Sequence, residues 1–306
     1  MNEDPKALVT ELLRKTSVAD GALPGWELQQ QVKIQELRHS RLANVCSEYQ
    51  LGAMKQQVSE HHMSNLFVED QFRLLYCEVP KAGCSNWKRV LMVLSGKFSS
   101  VLNLTHDQVH TNVHLRHLKE CGPDGVAERL ENFTKILFVR EPFQRLVSGF
   151  RDKMENPNKP YHDVFGRAII AKYRANASQS ALETGDGVTF REFVQCLLDP
   201  HRPVGDDPHW APISQLCHPC LLQYHFIGKL ENANTEGNFL LKHIGAPVNV
   251  SYPDYKDRHP QDERTSSAIM EKYFYQLNAT ERQGIYDLYR MDYLMFGYPK
   301  PLPDLH

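Results

Sequence analysis

Apolar residues along this chain fall into two alternating patterns, short continuous runs and longer stretches at helical spacing. Phe72 to Val79 is dense in aromatic and aliphatic residues and predicts a buried strand. After a short loop, Trp87, Val90, Leu91 and Leu94 repeat on one helical face. Ile136, Leu137, Phe138 and Val139 form the uninterrupted run of a central parallel strand, and Phe143, Leu146, Val147 and Phe150 make the core stripe of the next helix. Glu27 to Tyr49 reads as a charged helix, and the aromatic run from Tyr273 to Tyr298 as two packed C-terminal helices. Strand and helix patterns alternate from Phe72 onward, which predicts an α/β fold, a mostly parallel sheet flanked by helices. Residues 1–30 are polar and end near the Gly21–Gly25 hinge, so a stem is expected there, with one folded domain over 31–306.

The 306 residues carry a net charge of −2, but unevenly. Residues 81–97 hold four basic residues and no acidic ones; residues 140–174 hold eight basic and four acidic. The two stretches together carry +8, which leaves −10 for the rest. A local positive patch on an acidic body predicts a discrete anionic ligand and argues against a broad nucleic-acid surface. Five Asn-x-Ser/Thr sequons, at Asn103, Asn132, Asn176, Asn249 and Asn278, exceed the one or two that composition alone would supply, by rough arithmetic. They predict passage through the secretory pathway, with which seven cysteines are compatible as a few disulfides plus a free thiol. Met1 to Gln31 contains no apolar run of signal-peptide or anchor length, so a membrane anchor is expected upstream.

Residues 79–89, Val-Pro-Lys-Ala-Gly-Cys-Ser-Asn-Trp-Lys-Arg, lie between the first predicted strand and its helix. A helix start there directs backbone N–H groups and the positive end of the dipole at an anion, and Lys81 adds a full charge. A nucleotide-triphosphate loop places Lys after its second Gly. Here Lys81 precedes the only Gly, so the loop takes a phosphate in another way. Arg140 emerges at the carboxyl end of the second strand, where open α/β sheets bind ligands, and Ser148 follows two helical turns later.

Together the two motifs resemble the carbohydrate sulfotransferase family, whose enzymes use 3′-phosphoadenylyl sulfate. Pro80-Lys81-Ala82-Gly83-Cys84-Ser85-Asn86-Trp87-Lys88-Arg89 is similar to that family's 5′-phosphosulfate loop. Arg140-Glu-Pro-Phe-Gln-Arg145-Leu-Val-Ser148 is similar to its 3′-phosphate segment, with the same step from Arg to Ser. The likeness continues through His209-Trp210, Leu216 to Cys220, Tyr255 to His259 and Met291 to Phe296. Several later segments look most like the N-acetylgalactosamine 4-O-sulfotransferases, which act on terminal sugars of glycoprotein glycans. The resemblance implies a P-loop-like sulfotransferase fold and a type II protein of the Golgi lumen. It further implies 3′-phosphoadenylyl sulfate as co-substrate, a glycan acceptor on glycoproteins or proteoglycans, and no metal. The cofactor-binding residues it implies are Pro80, Lys81, Ala82, Gly83, Cys84, Ser85, Asn86, Arg140, Arg145 and Ser148.

Sulfuryl transfer needs a base for the acceptor hydroxyl and a cation at the leaving phosphate. Lys81 suits the second role. For the first, His106, His110, His114 and His117 cluster between the motifs, and His110 corresponds best to the family's catalytic His. Alternation of Val109, Thr111, Val113 and Leu115 predicts strand-like structure around it, with His114 and His117 on a solvated helix face as the alternative. Cys217-His-Pro-Cys220 lacks the second pair of a zinc site and reads as disulfide-bonded. Asp257, Arg258 and His259 are candidate sugar or cofactor contacts. Three other readings stay open: a chondroitin or dermatan 4-O-sulfotransferase, a P-loop kinase, and a silent glycan-binding relative. The misplaced lysine counts against the kinase, and the presence of Lys81, Arg140, Ser148 and His110 counts against silence.

Overall fold

The computed structural model describes residues 25–51, 58–111, 113–254 and 263–306. In chain order its main elements are α1 (Gly25–Glu48), β1 (Leu66–Glu69), β2 (Leu74–Cys77), α2 (Cys84–Leu94), α3 (His106–His110), β3 (Arg116–His117) and α4 (Gly122–Asn132). They continue with β4 (Thr134–Val139), α5 (Pro142–Phe150), α6 (Arg167–Tyr173), α7 (Phe190–Leu198), β5 (Phe226–Lys229), α8 (Ala233–His243), α9 (Ser267–Phe274) and α10 (Ala279–Phe296). The chain forms two compact units: Met1–Arg140 with Ile213–Gln261 and Leu294–Gly297, and Glu141–Pro212 with Asp262–Tyr293 and Tyr298–His306.

The first unit holds a five-stranded sheet in the order β3-β1-β2-β4-β5. β2, β4 and β5 run parallel, as expected, while β1 and β3 add an antiparallel edge. β4 is the central strand that the Ile136–Val139 run predicts, and those four residues are fully buried. The expected strand from Phe72 is shorter. Phe72 and Arg73 instead make the β1–β2 turn, where Arg73 is left-handed and the buried Glu69 carboxylate accepts the N–H groups of Gln71 and Phe72.

The other sheet edge is closed by side chains. Gln35 of α1 donates to the Ile227 carbonyl at 3.1 Å and accepts the Ile227 N–H at 3.0 Å, so an amide side chain stands where a neighbouring strand would pair. Arg38 adds a bond to the same carbonyl and a two-pronged pair with the buried Glu236. The 30/31 boundary expected for the stem falls inside this helix. Cys217 and Cys220 are both oxidised, but not with each other. Cys217 bonds Cys77 at the end of β2, and Cys220 bonds Cys46 of α1. No described helix is long and apolar enough to cross a membrane.

The second unit is helical and packs an aromatic core. Phe143 of α5 stacks on Phe274 of α9 with centroids 3.9 Å apart, and Phe193 meets Trp210 edge to face at 5.2 Å. Tyr286, Tyr289 and Tyr293 are buried along α10, as the C-terminal aromatic run predicts. The Tyr255–His259 segment lies outside the described residues.

Candidate active site

The site begins where β2 ends. Because β2 and β4 are parallel neighbours, the loops that follow them leave the same edge of the sheet. Pro80 and Ala82 are buried, and the Ala82 N–H donates to the Val79 carbonyl at 3.2 Å, closing a tight turn. Lys81 sits in that turn with φ +68°, a left-handed conformation that costs a non-glycine residue about 1 kcal/mol or more. Such strain is kept where it serves a purpose. Here it turns the Lys81 carbonyl toward Arg140, whose guanidinium donates to it at 3.1 Å. The two motifs therefore meet through the main chain of the first.

Gly83 caps α2 with φ +87°, and a Cβ there would stand 2.5 Å from the Tyr252 hydroxyl. Only glycine suits both demands. The N–H groups of Asn86 and Trp87 turn back to the Gly83 carbonyl. Those of Cys84 and Ser85, the first of the helix, face its open end. Tyr252, Trp87 and Phe138 pack as an aromatic wall behind the loop, with Trp87 5.3 Å from Tyr252. The Asn86 side chain donates to the Pro253 carbonyl at 2.9 Å and ties down the next segment.

The basic residues of 81–97 do not act together. Lys88 is buried against Glu78 at 2.6 Å, Arg89 is buried on the core side of α2, and Lys97 donates to the His114 carbonyl at 2.7 Å. Lys81 and Arg140, which meet through the Lys81 carbonyl, stand with the α2 N-terminus at the loop. Burial pushes the Cys84 thiol pKa up and leaves it a poor nucleophile.

His110 closes α3, a helix where strand-like structure is expected. Thr105 and Gln108 form a capping box that starts the helix and overrides the Val109–Leu115 alternation. The helix places His106 and His110 on one face with rings 4.3 Å apart, and His110 Nε2 lies 3.0 Å from the Ser85 hydroxyl. Of the four clustered histidines, His110 reaches the loop. His114 packs edge-on against Phe98. His117 belongs to β3 and not to a helix, is half-buried, and its ring lies against Phe67, with burial lowering its pKa.

α5 begins at Pro142, capped by the Glu141 carboxylate, which accepts the Gln144 N–H at 2.6 Å. Ser148 is half-buried on this helix. Arg145 is fully buried, and two of its nitrogens donate at 2.7 Å to the carbonyls of Pro208 and Ala211. Arg145, a cofactor ligand in the sequence expectation, straps a neighbouring loop through these bonds. Glu78, Tyr252 and the Thr105 cap were not expected from the sequence; the Thr105-x-x-Gln108 spacing was the available signal for the last. Among the described residues, no cluster of three His, Cys, Asp or Glu is placed to hold a metal ion.

A model of the sulfotransferase family matches residues 64–299, which include every element of this site. The chain belongs to that family. It is 54% identical to mouse carbohydrate sulfotransferase 8 over 272 residues, which is 89% of this chain and 65% of that protein. It is 51% identical to human carbohydrate sulfotransferase 9 over 267 residues, 87% of this chain and 60% of that protein. Rat carbohydrate sulfotransferase 11 is 34% identical over 281 residues, 90% of this chain and 79% of its own. The chain thus spans less than two thirds of the length of the first two relatives. No solved structure matches it significantly.

Proposed function

We propose that this sulfotransferase moves a sulfuryl group from 3′-phosphoadenylyl sulfate to the 4-hydroxyl of N-acetylgalactosamine, at the terminal position of glycoprotein glycans. The observation that carries the reading is the 3.0 Å approach of His110 Nε2 to Ser85, at the mouth of the loop that Lys81 and Arg140 flank. The N–H groups of Cys84 and Ser85 hold the 5′-phosphate. His110 takes the proton of the attacking hydroxyl as the new oxygen–sulfur bond forms. The old sulfur–oxygen bond breaks with its electron pair going to the 5′-phosphate, and the Lys81 ammonium balances the charge that develops there. Arg140 holds the Lys81 carbonyl and so the aim of the loop, and with Ser148 it is assigned to the 3′-phosphate. The two cations serve the charges directly, so the reading calls for no metal.

The acceptor assignment rests on the later-segment likeness and on the −10 charge outside the two basic stretches, which suits a neutral sugar better than a polyanionic chain. A Golgi lumenal setting is supported by the exposure of all five sequon asparagines and by the two disulfides. The test is incubation with labelled 3′-phosphoadenylyl sulfate and a choice of acceptors. Transfer to terminal GalNAcβ1-4GlcNAc above desulfated chondroitin is expected. Preference for chondroitin overturns the acceptor, and no transfer to any sugar overturns the activity.

A further inference from the structure

Residues 250–254, Val-Ser-Tyr-Pro-Asp, run beside the anion loop with no helix or strand of their own. Such a segment has no ladder to satisfy its backbone, so side chains must do it. The Tyr252 N–H donates to Asn238 Oδ1 at 2.8 Å, Asn238 Nδ2 donates to Asn234 Oδ1 at 3.3 Å, and Asn234 Nδ2 donates to the Asp254 carboxylate at 3.3 Å. Asn234 and Asn238 stand one turn apart on α8, so this relay leaves the segment at Tyr252 and returns to it at Asp254. Every link runs from donor to acceptor in one sense, which fixes both amides. Between those two points, Asn86 of α2 donates to the Pro253 carbonyl at 2.9 Å.

Tyr252 meets a glycine at each end of its side chain. A Cβ on Gly237 of α8 would stand 2.9 Å from Tyr252 Cγ and Cδ2, so the root of the ring lies flat on that helix. A Cβ on Gly83 would stand 2.5 Å from the Tyr252 hydroxyl, so the tip lies on the turn that starts α2. The side chain is buried, with the Trp87 and Phe138 ring centroids at 5.3 and 6.3 Å. With the ring packed on these neighbours, the placement of its root sets the placement of its tip. Glycine weakens the middle of a helix, and the close approach of the ring is what Gly237 permits in α8.

We propose that Tyr252, held by the Asn234–Asn238 relay and by Gly237, is a positioning residue of the anion loop. α8 sets the ring, and the ring sets Gly83 and with it the direction of the first N–H groups of α2. The anion served is the 5′-phosphate of the donor proposed above, so this role rests on that reading.

The test measures affinity for adenosine 3′,5′-bisphosphate and amide hydrogen exchange over residues 79–89 in the wild type and four variants. Alanine strengthens a helix at a glycine position, so a Gly237 with no part in the loop would give Gly237→Ala equal or higher stability and unchanged affinity. The expected result is an affinity loss of about fivefold, the scale of one hydrogen bond. Exchange over 79–89 should quicken about fivefold, with 134–139 in β4 within about twofold of the wild type. Asn238→Ala should match it, and Tyr252→Phe, which removes only the tip, should lose about threefold. Unchanged affinity and unchanged exchange in Gly237→Ala and Asn238→Ala overturn the role, as does quickened exchange spread equally over 79–89 and 134–139. If neither variant folds, Asn234→Ala, at an exposed position, decides by the same two readouts. A wild type that binds no bisphosphate refutes the donor reading, and the exchange ratio then decides the role of Tyr252 by itself.

Discussion

Two groups of histidines in the sheet-bearing unit show how far surroundings outweigh residue type. His106 and His110 lie on one face of a short exposed helix, and His110 meets a serine hydroxyl at the head of an anion loop. His61, His62 and His218 also come together, with ring centroids 4.5 to 5.9 Å apart. There the rings pack on one another beside the half-cystines Cys217 and Cys220, and His218 is itself left-handed at φ +41°. Burial, then the charges of His62 and His61, push its pKa down to about 4. His110 stands at the head of the anion loop, whereas His218 resists protonation and serves the fold.

The comparison can be pressed at four points. The largest effect is expected at the loop His110 faces. Lys81→Gly removes the ammonium while relieving the left-handed backbone, so kcat should fall about 10²- to 10³-fold with the thermal midpoint nearly unchanged. A midpoint that drops sharply would mean that Lys81 holds the fold. Next comes the support of the second group. Replacing Cys46 and Cys220 by alanine opens a 174-residue loop closure and should cost about 2–5 kcal/mol in urea unfolding. An unchanged stability would show that this disulfide adds nothing to α1.

A smaller effect belongs to His218. Its folded pKa lies below the ordinary 6.5, so the unfolded chain binds the proton more readily. The stability it preserves is complete above pH 6.5 and is lost as pH falls toward 4. Allowing for its partial exposure, the loss is about 1–2 kcal/mol. His218→Asn, which tolerates the left-handed backbone, should flatten this part of the pH–stability curve and leave turnover at neutral pH intact. A curve of unchanged slope would remove His218 from the account. The smallest effect is at His106→Ala, where loss of one ring contact between residues four apart should change kcat by about twofold. A loss approaching that of Lys81→Gly would give the proton to His106.

Sequence reasoning reached the parts of this molecule that are local. The apolar run of β4, the stripe of α5 and the loop between β2 and α2 each declare themselves within a dozen residues, and each stands where expected. α3 was hidden because its alternating residues imitate a strand, and the capping box that decides the matter is two side chains, Thr105 and Gln108. The loop that Arg145 straps was hidden for another reason. Its acceptors lie 63 and 66 residues downstream, so nothing near it in the chain announces them. The same holds for Cys217 and Cys220, whose spacing says nothing of partners 140 and 174 residues away. Lys88 counted as available charge until the fold placed Glu78 against it at 2.6 Å.

The central claim is that His110 is the proton acceptor of a sulfuryl transfer at this loop. It is tested most directly by measuring His110→Ala turnover with 3′-phosphoadenylyl sulfate alongside its affinity for adenosine 3′,5′-bisphosphate. The account predicts turnover lower by about 10²-fold or more, with bisphosphate affinity within about twofold of the wild type. Wild-type turnover in the alanine variant would contradict it.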